Sequence, residues 1–274
     1  MEIAASRAPR FADVQEMSQV RQLLWARPVF WNLFSRAVRG RYHHTMLGFL
    51  WCLLNPTFNL LIYSFAFTVV FQIQLESYGV HLLAGLLPFL FFRGSVASAA
   101  DNLISNAQFY KKQYMPKLIF PIVGLCANLL DFLVAYAVLL TLGYFVLGFR
   151  PAVEQLFIPV SLLLLVAFTL GCALIMSIAA TYYADLQHIF NVLMQATFYA
   201  TPVLWTMSMV PPQLQRLIKL NPLYYFVMNF TLPLYFHQTP DTTQILISAI
   251  LAIVALVVGL AVFFRYQADV VFRV

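Results

Sequence analysis

Two ionisable side chains, Arg93 and Asp131, stand inside long apolar stretches. A charge in hydrocarbon is expensive, so each must face protein or water. Read as helices, the two stretches run antiparallel. Arg93 lies about ten residues and Asp131 about thirteen from the shared end, and at about 1.5 Å per residue the depths match within a few ångströms. Two roles follow: a structural ion pair between neighbouring helices, or a polar conduit lined by Arg93.

A second group is basic. Residues 27–41, RPVFWNLFSRAVRGR, followed by Tyr42, place Phe30, Leu33, Phe34 and Val38 at helical spacing, with Arg36, Arg39 and Arg41 opposite or flanking. That pattern suits a helix lying in a membrane interface, or one docked on protein with its charges solvated. Arg36, Arg39 and Arg41 would serve topology and anionic lipid binding.

A third group is aromatic. Trp51, Phe58 and Phe65 repeat every seven residues and share one helix face. Phe89, Phe91 and Phe92 cluster further on, as do Phe198, Tyr199 and Trp205. Flat rings hold sugars by apolar and CH–π contact without fixing one register, which suits a sliding glycan. Lipid contact or helix packing is the alternative for any single ring. The conduit candidates are Trp51, Phe58, Phe65, Phe89, Phe92, Arg93, Phe198 and Tyr199.

No catalytic constellation accompanies these groups. The phosphate-binding pattern G-x-x-x-x-G-K-[ST] is absent, as is H-E-x-x-H. The histidines (His43, His44, His81, His188, His237) are scattered, and Cys52, Cys126 and Cys172 have no metal-ligand spacing. The expectation is no catalytic residue, no metal site and no cofactor bound by this chain. A membrane glycosyl- or phosphotransferase should carry clustered acids, and here the acids are dispersed. Gly48, Gly85, Gly94, Gly124 and Gly171 stand singly in apolar stretches, where small residues permit close helix approach.

The elements that position these groups follow from composition. Of 274 residues, 9% are charged and 62% hydrophobic, too little polar surface for a water-soluble globule. The expected fold is an all-α integral membrane domain of six transmembrane helices, at about Leu47 to Phe71, His81 to Leu103, Leu118 to Leu147, Leu156 to Tyr182, Ile189 to Met207 and Ile245 to Phe264. Residues 1–44 form a cytoplasmic N-terminus with the amphipathic interface helix, and residues 45–274 the membrane domain. Residues 101–117 form a polar, basic cytoplasmic connection. Residues 208–242 form a long external one, whose apolar run Leu223 to Leu234 is too short to cross and reads as a re-entrant helix before the last span. With the N-terminus inside, twelve Lys and Arg are cytoplasmic against three outside, which puts both termini in the cytoplasm. The net charge of +6 thus reflects topology rather than nucleic-acid binding.

The order of several motifs carries a resemblance. Arg41-Tyr42, Leu47-Gly48-Phe49-Leu50-Trp51 and Leu54-Asn55-Pro56 come first. Leu83-Ala84-Gly85-Leu86-Leu87-Pro88, Ser105-Asn106-Ala107 with Lys111-Lys112, Thr201-Pro202-Val203-Leu204-Trp205 and Asn221-Pro222 follow. Over about residues 20 to 270 the chain resembles the permease subunit of type-2 ABC exporters of polysaccharides, closest to the O-antigen branch, with capsule and teichoic-acid permeases near it. Arg93 departs from the pattern, which has a small or polar residue there. The resemblance implies a homodimer bound to two ATPase subunits that carry ATP and Mg. It further implies a polyprenyl-diphosphate-linked polysaccharide moved across a bacterial inner membrane, with the conduit at the dimer interface. It assigns ATPase coupling to Asn106, Phe109, Tyr110, Lys111, Lys112, Tyr114, Asp185 and His188. It assigns an external gate to Leu214, Leu217, Asn221, Pro222, Tyr224 and Tyr225, and entry of the diphosphate lipid headgroup to Arg36, Arg39, Arg41 and Tyr42.

Overall fold

The computed structural model describes residues 26–42, 75–112, 115–145 and 152–273, with the single positions Trp51, Leu54, Thr57, Phe58, Leu61, Ile62 and Phe65. Among the described residues every regular element is helical. In chain order these are α1 (Arg27–Tyr42), α2 (Leu75–Ser105), α3 (Ala107–Lys112), α4 (Ile119–Phe145), α5 (Ile158–Tyr182), α6 (Asp185–Ala200), α7 (Pro212–Ile218), α8 (Pro222–Thr231), α9 (Thr242–Tyr266) and α10 (Val270–Arg273).

Among the described residues, four segments are long and apolar enough to cross a membrane: Tyr78–Ser105, Ile119–Phe145, Val153–Tyr182 and Thr242–Tyr266. They coincide with the expected second, third, fourth and sixth spans. The expected first span lies mostly outside the described residues, though its seven described positions are helical. The fifth is corrected. Its helix, α6, ends at Ala200 rather than Met207. At about 1.5 Å per residue it reaches about 24 Å, short of a hydrocarbon core of about 30 Å. Pro202 is the cause: the residue before a proline is driven out of the helical region, and Thr201 is extended (φ −105, ψ 142).

The chain then makes a buried turn against α2. Gly85 permits this approach, since a Cβ there would stand 3.2 Å from the Val203 Cα. Tyr78 Oη donates to the Leu204 carbonyl at 2.8 Å, and Trp205 Nε1 to the Tyr199 carbonyl at 3.0 Å.

α2 is the centre of the core and touches α4, α5 and α8. Phe92 stacks on Phe168 at 5.5 Å between centroids, and Phe168 on Phe226 at 4.4 Å. α5 and α9 cross at Gly171 and Gly259, where a Cβ at Gly171 would overlap the Ala255 backbone. α8 is more deeply set than a half-buried helix, with eight of its ten residues buried. Asn229 fixes it on both sides: its Nδ2 donates to Ser248 Oγ at 2.9 Å, its Oδ1 accepts from Gln244 Nε2 at 2.9 Å, and its carbonyl accepts from Ser161 Oγ at 3.0 Å. Asn221 caps α8 by accepting from the Leu223 N–H at 3.0 Å and donates to Thr201 Oγ1 at 2.8 Å. The Asn-Pro and Thr-Pro motifs therefore meet.

Candidate substrate-access site

α1 docks on α4. Phe30, Leu33, Phe34 and Ala37 close over Ile119 and Val123, and Arg41, a turn further on, meets Asn128 and Asp131. The contacts advance in step along both helices, so α1 follows the first half of α4 in the same direction. The face of α1 that carries these side chains is docked on protein. Arg36 and Arg39 stay exposed.

The buried side of α1 opens onto a polar seam. Arg41 ion-pairs with Asp131, and its Nη2 donates to Asn128 Oδ1 at 3.2 Å. Asn128 Nδ2 donates to Ser98 Oγ at 2.9 Å and to the Gly124 carbonyl at 2.8 Å. Asn106 Nδ2 continues the series to the Asn102 carbonyl at 2.8 Å. Glycines make room for these groups: a Cβ at Gly94 would stand 3.1 Å from Asn128 Oδ1, and one at Gly124 2.5 Å from Asn102 Nδ2.

The expected Arg93–Asp131 pair is thereby corrected. Gly94, Ser98 and Asn102 recur every four residues and form the α2 edge that meets α4. Arg93, one residue off that edge, is half-buried and makes no ion pair among the described residues.

Between α1, α2, α3 and α4 lies a cavity of about 330 Å³ lined by Arg36, Arg41, Asn102, Ser105, Asn106 and Phe109, among others, and, among the described residues, by no acidic side chain. The Arg36 guanidinium stands 5.9 Å over the Phe109 ring. Two arginines, two asparagines and a serine line it, residue types suited to phosphate oxygens. A more apolar cleft of about 270 Å³, lined by Val29, Asn32 and Met115, shares Leu33, Arg36 and Phe109 with it.

Below the cavity, α3 is held from inside. Tyr110 is buried, donates to the Leu103 carbonyl at 3.2 Å and meets Phe120 edge-on at 5.6 Å. Burial raises its phenol pKa. Lys117 Nζ donates to the Gln267 carbonyl at 2.6 Å. Burial lowers the Lys117 pKa, and the Asp269 charge partly opposes the shift. Among the coupling candidates, Phe109, Lys111, Asp185 and His188 are exposed, whereas Tyr110 is turned inward. Gln187 Nε2 donates to Asp101 Oδ1 at 3.0 Å, tying the end of α2 to the start of α6. Tyr114 and the Lys112 side chain lie outside the described residues, as does the Tyr42 side chain. Tyr110→Phe is expected to lower the melting temperature by a few degrees, since it removes one hydrogen bond of about 1 kcal/mol. Tyr110→Ala should also lose a core ring, at about 3–5 kcal/mol. Thermal unfolding of the purified protein checks both.

The aromatic candidates divide. Phe89, Phe92 and Phe198 are buried within this chain, with Phe89 against Phe198 at 5.2 Å, and offer no open face to a glycan. That corrects their placement in a conduit: they are core rings. Trp51, Phe58, Phe65 and Tyr199 are exposed. Of the gate candidates, Leu214 and Leu217 on α7 are exposed, while Tyr224 is buried in α8. The sequence reading passed over Asn128, Asn102, Ser98 and Asn229. The signal for the first three was present in polar and glycine positions spaced four apart.

A bundle of apolar helices with a basic cavity at one end is the form of a membrane transport subunit, and this chain belongs to the ABC-2 type transporter family, which it matches over residues 28–235. Among its relatives is the O-antigen export system permease protein RfbA of Myxococcus xanthus, 30% identical over 246 residues, 89% of this chain and 94% of that one. The RfbA of Klebsiella pneumoniae is 30% identical over 84% of this chain and 88% of its own. The polysialic acid transport protein KpsM of Escherichia coli is 22% identical over 84% and 90%.

Proposed function

We propose that the chain is the permease of an ATP-driven exporter that moves a polyprenyl-diphosphate-linked polysaccharide, an O antigen, from the cytoplasm across a bacterial inner membrane. The observation that carries this reading is the cavity between α1, α2 and α4, lined by Arg36 and Arg41, in a chain of a transporter family. Export of a charged head on an apolar tail needs such a site where the lipid is taken up. Capsule export is the second reading, favoured by the likeness to KpsM.

In this proposal the chain crosses the membrane six times with both termini in the cytoplasm. α6 and the buried turn after it form the fifth pass, and α8 is re-entrant. Two copies assemble with two ATPase subunits, which bind ATP and Mg. Phe109 and Lys111 on α3, and Asp185 and His188 on α6, face those subunits. Closure of the ATPases on ATP shifts the permease between closed and open states. Arg36, Arg39, Arg41 and Tyr42 receive the diphosphate. α7 moves at the outer end, because α8 is fixed in the core.

The test is gene deletion in the source bacterium with complementation. The expected result is loss of surface O antigen, accumulation of lipid-linked polymer inside, and co-purification of an ATPase with the complementing permease. Loss of capsule with intact O antigen would favour the second reading. Unchanged surface glycans of both kinds would sink both readings.

A further inference from the structure

We infer that Asp131 is the resident counter-anion of the basic cavity: it holds the Arg41 guanidinium until the diphosphate of a lipid-linked glycan displaces it, and so excludes ligands of single charge. The inference rests on the reading of this cavity as the headgroup site.

Arg41 lines the cavity, but Asp131 and Asn128 do not. Its guanidinium therefore reaches through the wall to partners behind it. The ion pair is not sealed, with side chains 30% and 32% exposed, and pairs so exposed are weak and exchangeable. Arg36, the other guanidinium, is held over the face of Phe109, a contact an anion can outcompete. Asn128 stays in place during an exchange, since Ser98 and Gly124 hold its amide.

Charge decides who wins. A phosphodiester of the bulk phospholipid carries one negative charge, as Asp131 does, and gains little by replacing it. A glycan-bearing diphosphate carries two and can bridge Arg36 and Arg41. A cavity of about 330 Å³ has room for it. In a membrane where anionic phospholipid far exceeds the lipid-linked glycan, a built-in carboxylate supplies selection that bare arginines lack.

The experiment uses the full-length permease with its ATPase in phosphatidylcholine nanodiscs. The probe is prenyl-diphosphate-linked N-acetylglucosamine, with phosphatidylglycerol and inorganic pyrophosphate as competitors. Wild type should bind the probe with little sensitivity to phosphatidylglycerol, and Arg41→Gln should bind it about tenfold more weakly. Asp131→Asn should bind about fivefold more tightly and become sensitive to phosphatidylglycerol. A merely structural Asp131 gives the opposite sign, because its loss loosens α1. If Asp131→Asn does not insert, Asp131→Ser, which leaves space for water, carries the same expectation. Unchanged or weaker binding by a folded Asp131 variant overturns the exchange and leaves the headgroup site standing. Pyrophosphate binding as tight as the probe makes this a site for free anions and overturns the lipid assignment. Failure of wild type to bind the probe overturns the headgroup reading itself.

Discussion

Leucine at Gly171 is expected to leave no folded permease in the membrane. α5 and α9 cross there with backbone against backbone, so that a Cβ at Gly171 overlaps Ala255 and one at Gly259 overlaps Gly171. Overpacking that side chains can absorb costs about 1–3 kcal/mol. Here no flexible side chain stands in the way, and two spans must separate along their length. Domains hold only about 5–15 kcal/mol in reserve. Gly171→Ala should be intermediate, and Gly40→Leu, with nothing within 4 Å of its Cβ position, should insert normally. Membrane levels and detergent gel filtration of the three variants provide the comparison. Gly171→Leu at wild-type level with a wild-type melting temperature would contradict the crossing.

Gly171 also illustrates what was legible. Its place in an unbroken apolar run announces a span, and its lack of a side chain announces close approach, but the partner helix begins about seventy residues later and nothing local names it. Four spans could be located because hydropathy over about 20 residues is a strong signal. The expected fifth span to Met207 stops at Ala200, because the proline of Thr201-Pro202 ends the helix while apolar residues continue past it. Matched depth in neighbouring spans does not by itself pair Arg93 with Asp131. α1 supplied a better partner from 90 residues away. Aromatic residues in α2 could not be sorted into core and conduit from sequence, because a helix apolar on every side has no period to show which face is buried. Where polar residues and glycines alternate at spacing four, as at Gly94, Ser98 and Asn102, the face was readable.

The same reasoning sharpens what should happen to the first-span stripe. Trp51, Phe58 and Phe65 are helical and 37%, 49% and 72% exposed. Ile62, four residues after Phe58 and on the same face, is 63% exposed. This face is not consumed by the chain's own core, unlike Phe89, Phe92 and Phe198, so it meets lipid, a second copy or a passing glycan. Leucine separates these occupants. Against lipid or in a packed contact, leucine replaces an aromatic ring at small cost, and insertion and assembly should persist. Against pyranose rings it offers apolar area but no flat face, and the ring-specific part of an aromatic contact is worth about 0.5–1.5 kcal/mol per site. Three such losses along one path should lower export about tenfold or more, because each 1.4 kcal/mol is a factor of about ten. The readout is surface polysaccharide at matched permease levels, with the length distribution of the polymer. Full export by the triple-leucine variant would make the stripe a lipid or subunit contact and move the search for the glycan path to the exposed face of α6 around Tyr199.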